Sequence, residues 1–198
     1  MNTIPKKNEK IRSVFFKEAE SHKKNNILEK LPINCFRLNF INKAFPEAKY
    51  IVIKRNPLEV AASIEEKIGK GNWYGVNDNK LRLLIEYAKS NNVETKDFLK
   101  TDFNKGLLEW RLSNIAISKF FNDSKKDFFS INYSNLTLNP KEILTEAFNF
   151  LEIKYNEEAL INCCKLVYKN LRNNENIKNN IQNNQKEFLI SEGFIQEK

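Results

Sequence analysis

The run "KYIVIKRNPLEVAAS", Lys49 to Ser63, restricts the fold more than any other part of the sequence. Tyr50, Ile51, Val52 and Ile53 form a short apolar block rich in β-branched residues, the pattern of a strand covered on both faces in a parallel sheet. Asn56, Pro57 and Glu59 follow as an N-cap, a first-turn proline and a third-position acid, the ingredients of a capping box. A strand ending at Lys54 or Arg55 therefore feeds a helix that starts near Asn56. In open α/β sheets ligands collect beyond the carboxyl ends of strands, where helix N-termini favour anions. Arg55 falls at that edge. Ser63, two turns into the helix, lies on roughly the face of Asn56, with Ala61 and Ala62 keeping the neighbouring surface low. Spacing alone leaves two readings open: an anion site built on Arg55 and Ser63, or a surface arginine and an ordinary helical serine.

The remaining pattern supports an α/β fold, a short parallel sheet flanked by helices. Residues 9–24 read as a charged helix, and "NNILEKLP" as a short buried strand ending at Glu29 and Lys30 and stopped by Pro32. Ile33, Phe36, Phe40, Ile41, Ala44 and Phe45 follow helical period up to Pro46, which gives a βαβα order through residue 68 and a right-handed crossover. A glycine-flanked loop, "GKGNWYGVNDN", carries Trp73 and Tyr74. Helical patterns follow near 79–90 and 104–121, a strand over Phe128 to Asn132, a helix opened by Asn139, Pro140 and Glu142, and another over 156–171. The spacing delimits one domain over 1–171. Residues 172–198 read as an Asn- and Lys-rich tail with a last short helix near 185–190.

Composition narrows the chemistry. A net charge of +8 suits an anionic ligand, yet the lysines are scattered without a long basic run or aromatic interleaving, which argues against nucleic acid as the partner. Cys35, Cys163 and Cys164 make an odd count with no metal-ligand spacing, so neither a metal nor a disulfide framework is expected and a reducing compartment is the simpler inference. No apolar run approaches membrane-spanning length, and the N-terminus lacks the apolar core of a signal peptide; the chain reads as soluble and cytoplasmic, with no membrane partner. The single histidine, His22, sits among charged residues and reads as a solvated helical side chain rather than a base.

Several separated pieces then match one pattern. "LEKLPIN" is similar to a Glu-Lys-Thr-Pro-x-Asn motif, "FPEAKYIVIKRNPLEVAAS" to a strand and 3′-phosphate-binding helix, and "INYSNLTLNPKEILTEAFNFLEI" to a Tyr-Glu-Asp-Leu, Pro and Phe-Leu-Gly-Leu region. Over roughly residues 27–160 the chain resembles the sulfotransferases that use 3′-phosphoadenosine-5′-phosphosulfate, a family of P-loop-like fold. "GNWYGV" followed by "EWR" resembles their bacterial, carbohydrate-directed branch. It is the ordered set, not any one motif, that is specific.

The resemblance implies that Arg55 and Ser63 grip the 3′-phosphate of the nucleotide co-substrate. It implies Glu29 as the base for the acceptor hydroxyl, with Lys30 beside it to stabilise sulfonate or leaving-group charge. From the residues alone Glu29 and Lys30 read first as a surface pair closing a strand. Trp73 and Tyr74 either stack on a sugar ring of the acceptor or plug onto the domain itself. Leu31 stands where the family has threonine, and Ser134 and Asn135 replace two acids. The family's N-terminal Pro-Lys-x-Gly-Thr-Thr loop for the 5′-phosphosulfate has no counterpart here beyond "TIPKKNEK", since every glycine lies at Gly69 or later. The expected function is sulfo transfer to a hydroxyl on a carbohydrate or small molecule. The alternative is a catalytically incomplete nucleotide-binding or interaction module that keeps only the 3′-phosphate half-site. An N-terminally truncated fold would leave Ile27, Leu28 and Phe40 near an exposed side, and would favour self-association or a complementing chain.

Overall fold

The computed structural model describes residues 6–167 together with 186, 187, 189 and 190. Its elements are α1 (Lys6–Ser21), a 3-10 turn (Pro32–Arg37), α2 (Leu38–Ala44), β1 (Tyr50–Lys54), α3 (Pro57–Gly69), a second 3-10 turn (Val76–Asp78), α4 (Asn79–Ser90), α5 (Asp102–Ser124), β2 (Phe128–Asn132), α6 (Tyr133–Leu138), α7 (Pro140–Leu151) and α8 (Glu157–Leu166). β1 and β2 pair as a short parallel sheet within a helix-rich α/β chain. The expected domain limit at residue 171 and the tail over 172–185 lie outside the described residues, whereas 186, 187, 189 and 190 are helical.

The chain divides into two compact units, Met1–Tyr50 with Ser113–Asp127, and Ile51–Leu112 with Phe128–Lys198. In the first, the edge of Phe15 meets the Phe45 ring at 5.4 Å, and Arg12 donates to the Ala44 carbonyl (2.7 Å) and to Glu47. Tyr50 packs against Phe120 and Phe121, with centroids 5.5 and 5.6 Å away. The Phe15–Phe45 and Tyr50–Phe121 pairs are edge-to-face, which sets the electropositive rim of one ring on the face of another, and the Tyr50–Phe120 pair is tilted.

The second unit is held by an apolar core drawn from Leu58, Ala61 and Ile64 of α3, Leu84 and Ala88 of α4, and Phe103, Leu107 and Leu108 of α5. Each fully buried Leu or Phe contributes about 1.5–3 kcal/mol. Asparagines start three of its helices: Asn56 Oδ1 accepts from Leu58 N (2.9 Å), Asn132 Oδ1 from Ser134 N (2.9 Å), and Asn156 Oδ1 from Ala159 N (2.8 Å). α5 starts behind Thr101, whose hydroxyl accepts from Asn104 N. Each side-chain oxygen takes one of the N–H groups that a helix start leaves without a partner.

Three expectations are corrected. The strand expected at Ile27 to Lys30 does not form: residues 25–31 carry no regular structure and are exposed, and the order through residue 68 is helix, helix, strand, helix. Two apolar residues followed by two charges offer no face to bury, and Leu28 stands 88% exposed. β1 is not covered on both faces, since Tyr50 and Val52 are buried while Ile53 is 54% exposed. The capping box is half formed, because Glu59 turns to Arg55 in preference to the cap backbone. Ile27, Leu28 and Phe40 are all exposed. Among the described residues no helix is long and apolar enough to cross a membrane.

Candidate functional site

β1 and β2 run in parallel, so their carboxyl ends share one edge of the sheet, and the residue after each strand belongs to that edge. These residues are Arg55 and Tyr133. The Arg55 guanidinium lies over the Tyr133 ring, 4.6 Å from its centroid. Its Nε pairs with Glu59 Oε2 at 3.3 Å, an i,i+4 contact made because α3 begins immediately after the strand. The Arg55 carbonyl accepts a hydrogen bond from the Trp110 indole N–H of α5 (3.1 Å). Backbone and side chain are therefore both fixed. Only Nε of the guanidinium is taken up by a hydrogen bond among the described residues. Ser63 lies on α3, half-buried.

A second cluster belongs to the same unit. Trp73 donates its indole N–H to Glu109 Oε2 (3.1 Å), and Lys80 Nζ pairs with Glu109 Oε1 (2.6 Å). The Lys80 and Lys67 ammonium groups stand over the Trp73 ring, 4.0 and 4.4 Å from its centroid. The Glu109 carboxylate is buried, and two donors offset the cost of removing it from water. The loop that carries Trp73 bends sharply, with positive φ at Gly71, Asn72, Gly75, Asn77 and Asp78. Two of these are glycines and the others Asn or Asp, the residues that tolerate the left-handed region. Tyr74 is 4% exposed with its hydroxyl unpartnered, and burial, with the Glu109 carboxylate next, pushes that hydroxyl's pKa up. Trp73 remains half-buried.

Glu29 and Lys30 lie in the first unit, on the exposed irregular stretch. Glu29 Oε1 accepts from Asn34 Nδ2 at 3.2 Å. His22, also exposed, meets Glu18 at 3.0 Å and is a solvated residue just past α1. Lys6 and Lys7 of "TIPKKNEK" fall in α1.

The structure thus brings Arg55 and Tyr133 together, and Trp73, Lys80 and Glu109 together. Sequence reasoning missed Tyr133, Glu109 and Lys80. Tyr133 had a signal, as the residue directly after the second strand; Glu109 had a weaker one, an acid among apolar residues in a helix. No group of three or more His, Cys, Asp and Glu that could hold a metal occurs among the described residues.

The comparisons bear on the same stretch. No curated protein and no solved structure matches the chain. A model of the sulfotransferase family matches residues 4–157, which takes in Glu29, Arg55, Ser63, Trp73, Glu109 and Tyr133. With well over half of its length matched, this chain belongs to the sulfotransferase family.

Proposed function

We propose that the chain transfers the sulfo group of 3′-phosphoadenosine-5′-phosphosulfate to a hydroxyl on a carbohydrate or a related small molecule. Family membership supports sulfo-group transfer in general. The observation that carries the finer reading is Arg55: a guanidinium held at the carboxyl edge of the sheet, with both terminal nitrogens left for an anion. In this reading Arg55 and Ser63 hold the 3′-phosphate, whose oxygens match the planar donor fork. Trp73, half-buried, is the loop aromatic that meets the acceptor, whereas Tyr74 is buried to its hydroxyl and plugs the loop onto the domain.

In the chemical step the acceptor oxygen attacks sulfur, the bond from sulfur to the phosphate oxygen breaks, and the acceptor proton passes to Glu29. Adenosine 3′,5′-bisphosphate leaves, its charge eased by Lys30. A base in that role contributes about 10²–10⁴-fold, so Glu29→Gln lowers turnover by that factor and leaves nucleotide affinity nearly unchanged.

One observation favours a second reading, a nucleotide-binding or interaction module without turnover. Glu29 and Lys30 are exposed and lie outside any regular element. A transfer assay with the labelled phosphosulfate and a panel of hydroxyl-bearing saccharides separates the two. Sulfated product, lost with Glu29→Gln, supports the enzyme. Binding of adenosine 3′,5′-bisphosphate with no product from any acceptor supports the module.

A further inference from the structure

Three residues on one face of α5 meet both halves of the proposed site. Gly106, Glu109 and Trp110 stand at i, i+3 and i+4, the spacing that sets side chains above one another on a helix. At Gly106 the helix approaches the α3 backbone so closely that a Cβ would lie 2.8 Å from Ala61 Cα. That fixes α5 against the helix that grows out of the Arg55 junction. One turn on, Glu109 takes the Trp73 indole and the Lys80 ammonium, and its neighbour Trp110 donates to the Arg55 carbonyl. Lys80 also donates its backbone N–H to the Tyr74 carbonyl (2.9 Å), so α4 is tied to the same loop.

We propose that Glu109 and Trp110 are positioning residues, Glu109 setting the Trp73 indole of the acceptor loop and Trp110 setting the Arg55 end of β1. The inference rests on the reading of Arg55 as the 3′-phosphate grip. Adjacent residues of one helix then fix the two halves of the site relative to each other, and neither has to touch a substrate. The chemistry suits the task. An indole N–H is a single directed donor and a carboxylate a two-oxygen acceptor, so each bond sets a direction as well as a distance. Trp73 sits in the irregular part of its bent loop, between α3 and the 3-10 turn at Val76–Asp78, and Glu109 gives its indole a fixed partner on a long helix.

The chain has two tryptophans, Trp73 and Trp110, so incorporating 5-fluorotryptophan gives two fluorine resonances, assigned with Trp73→Phe. Adenosine 3′,5′-bisphosphate is titrated against the labelled chain, with binding followed separately by calorimetry. The Trp110 resonance is expected to move in step with binding. Glu109→Gln is expected to displace the Trp73 resonance in a folded chain. Trp110→Phe, which keeps a ring and loses the donor, is expected to weaken the bisphosphate about three- to tenfold and adenosine 5′-monophosphate much less. A purely structural tryptophan lowers stability without changing that ratio, and such a result overturns the proposal. Binding with a silent Trp110 resonance overturns it without any variant. Absence of binding overturns the nucleotide reading itself, and the inference with it.

Discussion

Arg55 and Glu29 are both charged residues outside helices and strands, and they are held very differently. Arg55 is fixed from three sides: its carbonyl by Trp110, its Nε by Glu59 and its guanidinium plane by Tyr133. Glu29 is exposed and has one hydrogen bond among the described residues, from Asn34. A charged group binds or catalyses well when its position is set before the ligand arrives, because little ordering entropy then remains to be lost. The nucleotide-binding half of the proposed site is built into its unit, and the residue proposed as base is not built in to the same degree. Under the proposed function, this contrast puts affinity in the region around Arg55 and makes turnover the more fragile property.

Glu109→Ala should be the most damaging substitution in the Arg55 unit. It strips the partner from Lys80, 22% exposed in its side chain, and from the indole N–H of the half-buried Trp73. Breaking such a pair costs about 3 kcal/mol, the low end for buried ion pairs because Lys80 keeps some contact with water. Urea denaturation should show that loss, while Glu29→Ala should stay within about 0.5 kcal/mol of the unmutated chain. Equal effects of the two would erase the contrast. Gly106→Ala comes next: a methyl 2.8 Å from Ala61 Cα forces α3 and α5 apart, with an expected loss of about 2 kcal/mol. An unchanged denaturation midpoint would mean that the helices are not so closely apposed. Asn56→Ala removes the cap of α3 and should cost about 1 kcal/mol, with Asn56→Asp close to neutral.

The smallest effect belongs to the first unit. The hydrogen bond from Arg12 holds the Glu47 carboxyl below its ordinary pKa, outweighing the desolvation that raises it. A lowered folded-state pKa stabilises above the ordinary glutamate range, and that contribution disappears as pH falls through the lowered value. Because the Glu47 side chain is 56% exposed, the contribution is expected to stay below about 1 kcal/mol. Urea midpoints measured between about pH 6 and about pH 3 should fall less steeply for Arg12→Ala than for the unmutated chain. Parallel curves would deny Glu47 this part in acid sensitivity.

What the sequence made legible follows local chemistry. β1 and α3 were readable because a β-branched block, an Asn cap and a first-turn proline all point to the same break at Arg55. α4 over Asn79–Ser90 and β2 over Phe128–Asn132 lie where periodicity put them. Ile27 to Lys30 misled, since an apolar pair before a proline resembles a strand end, whereas strand formation needs a neighbouring strand and a face to bury, and neither is a local property. Tyr133 over Arg55 and Glu109 beneath the Trp73 loop were illegible for a similar reason. Their partners lie 78 and 36 positions away in sequence, and only tertiary packing brings them together.

The proposed role of Arg55 as a preorganised grip for a nucleotide 3′-phosphate is decided by an equilibrium titration. Adenosine 3′,5′-bisphosphate and adenosine 5′-monophosphate are titrated against the unmutated chain and Arg55→Ala, at two salt concentrations. A charged hydrogen bond contributes about 1.5–3 kcal/mol, so the bisphosphate should bind about 10- to 150-fold more tightly than the monophosphate, and Arg55→Ala should remove most of that preference. The preference should narrow at the higher salt concentration. Equal affinities for the two nucleotides in the unmutated chain, or a preference that survives Arg55→Ala intact, would contradict the account.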